Sequence, residues 1–136
     1  MSEDREDVIK VLKAAIGDNH VLIDDHSLEF YSMDVYRSFE IPIAIVQPGN
    51  IDELQETVRI ASGLGVSIVT RGGGASYTDA YLPTDPNSII IDTSRLNKIV
   101  EINEEDMFIT VEPVSYTHLR AHETDSYLVC RLLLEK

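Results

Sequence analysis

Two stretches of the 136-residue chain place together residue types that could do chemistry. The first is residues 71–77, "RGGGASY", directly after the β-branched run "VSIVT". Three successive glycines open backbone torsions closed to other residues and remove side chains that would bar a ligand. Such a loop can turn several N–H groups inward as a cradle for a phosphate or pyrophosphate. Arg71 can add charge or fix the loop, and Gly72, Gly73, Gly74 and Ala75 present main chain. Ser76 offers a hydroxyl, and Tyr77 and Tyr81 stand close enough in sequence to contact a nucleotide or to pack. Two familiar patterns are not met. The dinucleotide fingerprint requires glycine where Tyr77 stands, and the P-loop requires a Lys-Ser/Thr pair. On glycine content alone, a plain strand-to-strand turn competes evenly with a ligand loop.

The second stretch is residues 117–124, "THLRAHET", with Cys130 close behind. His118 and His122 have the i, i+4 spacing of two zinc ligands on a helix. The zinc-protease motif, however, places its glutamate directly after the first histidine, where Leu119 stands. No metal site is assigned. His20 and His26, flanking "VLIDD", read as surface groups. Tyr31, Asp34 and Tyr36 either line a pocket or pack beneath the N-terminal helix.

The bulk properties narrow the setting. An apolar fraction of 43% is that of an ordinary globular chain, and one cysteine excludes an internal disulfide framework. No apolar run is long enough to span a bilayer, and "MSEDREDVIK" lacks a signal core, so a cytoplasmic protein is expected. A formal charge of −13 argues against nucleic acid as partner, because phosphate contacts need clustered Lys and Arg. The whole excess lies in residues 1–113, and the composition changes at Val114.

The elements that must position the glycine loop follow from periodicity. Residues 5–16 put Val8, Val11, Leu12, Ala15 and Ile16 on one helical face, with Gly17 as a stop. Residues 19–41 are irregular or mixed. "IPIAIVQP" is a short buried strand. Asn50 then caps a helix with Glu53 three residues on, and Ile51, Leu54, Val58 and Ala61 form its apolar face. "VSIVT" is a second buried strand, so strand, helix and strand make a parallel βαβ unit with a right-handed crossover. "SIIIDTS" is another strand, and residues 98–103 and 107–113 pair as an antiparallel hairpin across "EED". The class expected is α+β, or α/β in its first half.

These elements, in this order, resemble the FAD-binding domain of the vanillyl-alcohol oxidase and p-cresol methylhydroxylase superfamily. Within it, the chain looks most like the glycolate, D-lactate and other 2-hydroxy-acid dehydrogenases. The resemblance runs through residues 41–112, through "RGGGAS", "DTSRLNKI" and "MFITVEP". It implies a PCMH-type FAD-binding domain, cut short, with the main chain of residues 71–77 wrapping the FAD pyrophosphate. It also implies a parent that oxidises a hydroxy acid or alcohol by hydride transfer to flavin. The catalytic residues of that family would lie further along such a chain, so none is named. The alternative is a small phosphate- or nucleotide-binding module without catalysis.

Residues 114–136, "VSYTHLRAHETDSYLVCRLLLEK", resemble one translated frame of a transposon-end sequencing adapter joined to an index and a flow-cell primer. Three regions are therefore expected: a lead-in at 1–40, the N-terminal part of an FAD-binding domain at 41–113, and a non-native tail at 114–136. The hairpin strands, without partners, would expose edges and apolar surface.

Overall fold

The structure, a computed structural model, describes residues 2–34, 39–74 and 79–114. It divides into two compact units, Met1–Arg95 and Leu96–Lys136.

The first unit opens with helix α1 (Ser2–Ile16). Val8, Leu12 and Ile16 are buried at i, i+4 and i+8 with Ile9 packed beside them, whereas Val11 is 44% exposed. The core face is thus narrower than the apolar pattern predicts. Gly17, at φ 93°, ends the helix in a torsion that favours glycine. Strand β1 (Val21–Leu22) follows, then helix α2 (Asp25–Tyr31). Neither is forecast by periodicity. Asp24 caps α2 by accepting from the Ser27 N–H at 2.9 Å, and this bond holds its carboxyl below the usual range.

Strand β2 (Ala44–Val46) is wholly buried, as its apolar run requires. Asn50 caps α3 (Ile51–Gly63) by accepting from Glu53 N–H at 2.9 Å, and Glu53 Oε2 reaches back to the Gly49 N–H at 2.7 Å. The face of α3 differs from expectation. Ile51 and Val58 are 60% and 40% exposed, while Thr57 and Ala61 are fully covered. Thr57 can sit there because its hydroxyl donates to the Glu53 carbonyl at 2.8 Å, leaving no unpaired polar group.

Strand β3 (Ser67–Arg71) is a half-exposed edge rather than a buried strand, and β4 (Ser88–Asp92) is buried along its whole length. The order is β1-β2-β4-β3, with β2, β4 and β3 parallel and β1 antiparallel to β2. The βαβ unit is therefore real, but its two strands are separated by β4. Side chains alternate across the sheet. Ala44, Val46, Ile89 and Ile91 join the cluster containing α1 and α3 residues; Ile45 and Ile90 join Leu28 of α2. Helices thus cover both faces, which is why the central strands read as unbroken apolar runs.

The second unit contains the expected hairpin, β5 (Ile99–Asn103) with β6 (Phe108–Val111), antiparallel and bulged between Ile99 and Glu101. Asn103 Oδ1 accepts from the Asp106 N–H in its turn. Val100, Ile102 and Ile109 are 64%, 64% and 45% exposed, so the apolar surface anticipated for these strands is present. Val114, the first residue past the composition break, is buried and its N–H bonds to the Leu96 carbonyl. The rest of the expected tail, including His118, His122 and Cys130, lies outside the described residues, as does Tyr36.

Candidate functional site

Because β2, β4 and β3 are parallel, their carboxyl ends meet along one edge of the sheet. In open α/β sheets that edge is where ligands bind. Three segments leave from it: residues 47–49 after β2, the glycine loop after β3, and residues 93–95 after β4.

Asp92 organises the edge. It is 3% exposed and accepts from Tyr31 Oη at 2.6 Å, Gln47 Nε2 at 2.8 Å, Ser94 N–H at 2.9 Å and Ser94 Oγ at 3.0 Å. One carboxylate thus joins α2, the end of β2 and the end of β4. The next residue, Thr93, donates its N–H to the Arg71 carbonyl at 2.9 Å, which fixes the root of the glycine loop. Arg95 completes the arrangement: its Nη1 donates to the Gln47 carbonyl at 2.7 Å and lies 3.6 Å from Glu53 Oε2. Gly49 makes room for it, since a Cβ there would stand 2.4 Å from Arg95 Nη2.

Arg71 turns its guanidinium onto aromatic rings. The carbon Cζ lies 4.9 Å from the Tyr31 ring centroid, 5.1 Å from Tyr81 and 5.4 Å from Phe30, all within cation–π range. Nη1 also donates to the Tyr31 carbonyl at 3.2 Å. Of the two roles open to Arg71, this geometry favours fixing the loop. Tyr81 is buried and packs here, while Ala75, Ser76 and Tyr77 lie outside the described residues.

Burial, and then the bond and charge of Asp92, push the Tyr31 phenol from its ordinary value near 10 up to about 12. A raised folded value means the protonated form contributes stability fully below about pH 10, and this is lost as pH rises toward 12. The difference in unfolding free energy between the chain and Tyr31→Phe should therefore shrink across that window. Paired denaturant titrations at pH 9 to 12 would measure it; a difference flat with pH would contradict the Tyr31–Asp92 bond.

Gly72 and Gly73 are exposed, and Gly74 has φ 67°, so the loop needs glycine at its third position. Among the described residues, the N–H groups of Gly72, Gly73 and Gly74 bond to no protein acceptor. Main chain bare of side chains, at the carboxyl edge of a parallel sheet, fits the pyrophosphate of a dinucleotide. Periodicity did not reveal Asp92, Gln47 or Tyr31 as parts of this edge. The polar Asp92 ending an apolar run was the signal available. A shallow hollow of about 460 Å³ elsewhere, bordered by Ile9, Lys13, Asp18 and Ile23, includes none of these residues. His26 is exposed and His20 half-buried, and no helix among the described residues is long and apolar enough to cross a membrane.

Known proteins share this fold. The solved p-cresol methylhydroxylase with substrate bound superposes with a TM-score of 0.74 at 23% identity, covering 90% of this chain and 25% of that one. The glycolate oxidase subunit GlcD of Bacillus subtilis is 32% identical over 97 residues, 69% of this chain and 20% of its own length. The D-2-hydroxyglutarate dehydrogenase of Stutzerimonas stutzeri is 31% identical over 107 residues, 78% of this chain and 23% of its own. The chain therefore spans a quarter or less of these proteins. The profile of the FAD binding domain matches residues 42–120, more than half of the chain and past the composition break at Val114. The chain belongs to the FAD binding domain family, and FAD is its cofactor.

Proposed function

We propose that residues 71–77 hold the FAD pyrophosphate, and that the chain supplies the N-terminal part of an oxidoreductase acting on a hydroxy acid or alcohol. The observation that supports this most is the convergence of Gly72, Gly73 and Gly74 with the ends of β2 and β4 at one sheet edge. Main-chain N–H groups there donate to phosphate oxygens, and Arg71 holds the loop in place. Bound FAD supplies the ring that accepts hydride. The similarity to a glycolate oxidase subunit and a D-2-hydroxyglutarate dehydrogenase supports a small hydroxy acid as the parent's substrate. No catalytic residue is assigned within the described residues. In this reading residues 1–40 lead in, 41–113 begin the cofactor domain, 114–136 are adapter-encoded, and the protein is cytoplasmic.

Titration of the isotopically labelled 136-residue chain with FAD, ADP and FMN tests the assignment. FAD is expected to bind weakly, since the chain spans a quarter or less of its relatives. ADP should compete and FMN should not. Gly74→Val should weaken FAD at least tenfold, because a β-branched residue is strained at φ 67° and its Cβ would stand 2.9 Å from Arg71 Nη2. Equal binding of every mononucleotide would point to a general phosphate module. An FAD titration that shifts no amide of residues 71–74 would overturn the assignment.

A further inference from the structure

We infer that Tyr31 is the positioning residue of the glycine loop, acting through Arg71. The inference rests on reading that loop as the cofactor loop. Tyr31 ends α2, which precedes the first residue matched by the family profile, Pro42. The lead-in segment thus contributes to a site otherwise attributed to the domain that follows it.

Tyr31 meets the edge in three chemically different ways. Its ring lies beneath the Arg71 guanidinium, its carbonyl accepts from Arg71 Nη1, and its hydroxyl donates to Asp92. Phe30 sits edge-on to Tyr31 at 5.5 Å and 79°, and with Tyr81 supplies the remaining rings around the cation. The Asp92 bond fixes where the Tyr31 ring stands; the ring and carbonyl then fix where the guanidinium stands.

The other side of the guanidinium reaches the loop itself. A Cβ on Gly74 would lie 2.9 Å from Arg71 Nη2 and 3.1 Å from Nε. Arg71 is therefore a strut, with α2 at one end and the third glycine at the other. Glycines lose more freedom on ordering than any other residue, so three in a row need such a support to be held ready for a ligand. A lysine keeps the charge but lacks the planar head that stacks on rings while bonding a carbonyl.

Amide ¹⁵N relaxation of the full chain without ligand tests this, using Arg71→Lys, Tyr31→Leu and Tyr31→Phe. In the parent chain, Gly72, Gly73 and Gly74 should show order parameters near those of β4, about 0.85. Arg71→Lys and Tyr31→Leu should drop the three glycines below about 0.6 while β4 amides keep their values. Tyr31→Phe, which keeps ring and carbonyl but loses the Asp92 bond, should give the three glycines order parameters between those of the parent and of Tyr31→Leu. If Tyr31→Leu loosens β4 as well, Arg71→Lys decides, because it leaves α2 intact. Glycines as ordered in Arg71→Lys as in the parent would overturn the inference. No flavin is present, so failure here is separate from failure of the FAD titration.

Discussion

Asp92→Ala is expected to destabilise the chain by about 3 kcal/mol, the cost of removing a charged acceptor from several buried or half-buried donors. Tyr31 Oη, Gln47 Nε2 and both Ser94 donors lose their acceptor at once. Asp92 is 3% exposed, so water cannot replace it without opening the edge. Tyr31→Phe removes only one of these bonds and should cost about 1 kcal/mol. Urea titrations would show the urea midpoint falling in that order with the slope unchanged. Equal small shifts for both variants would mean that the carboxylate does not organise the edge. Affinity for FAD should fall with Asp92→Ala too, since Thr93, its neighbour, tethers the root of the glycine loop.

Ile90→Ala is the second large effect, about 3–4 kcal/mol, combining lost apolar transfer with a cavity that the sheet cannot close. Ile90 is fully buried on the central strand, paired in register with Ile45 and Val69 and clustered with Leu28 of α2. Domains of this size hold only about 5–15 kcal/mol in total, so thermal melts should move by many degrees. Ile102→Ala is the control. It lies 64% exposed on the hairpin and should change the melt little. A comparable loss from both would mean that the sheet centre is not what holds the first unit.

The strands at 44–46, 88–92, 99–103 and 108–111 and the helix at 51–63 were legible because each is announced by local chemistry. Asn50 with Glu53 marks a helix start, and "SIIID" can be little else than a buried strand. The seven-residue α2 was not legible. It buries only Leu28, too few positions to show a period, and is held by contacts from residues far along the chain. Strand order was hidden for a related reason: periodicity reports which face is buried, never which neighbour lies alongside. The glycine loop itself was readable from three consecutive glycines. The Tyr31–Asp92–Gln47 junction was not, because its members are 16 to 61 residues apart and meet only through the sheet.

The two-residue strand β1 limits where this domain can be trimmed. A cut at the start of the family match would discard β1 and leave β2, three residues long, as a raw sheet margin. The same cut would strip α1 from one face of the sheet and α2 from the other. The minimal excisable unit is therefore longer than the sequence signature that identifies it. Its left-hand boundary belongs before α1, not at Pro42.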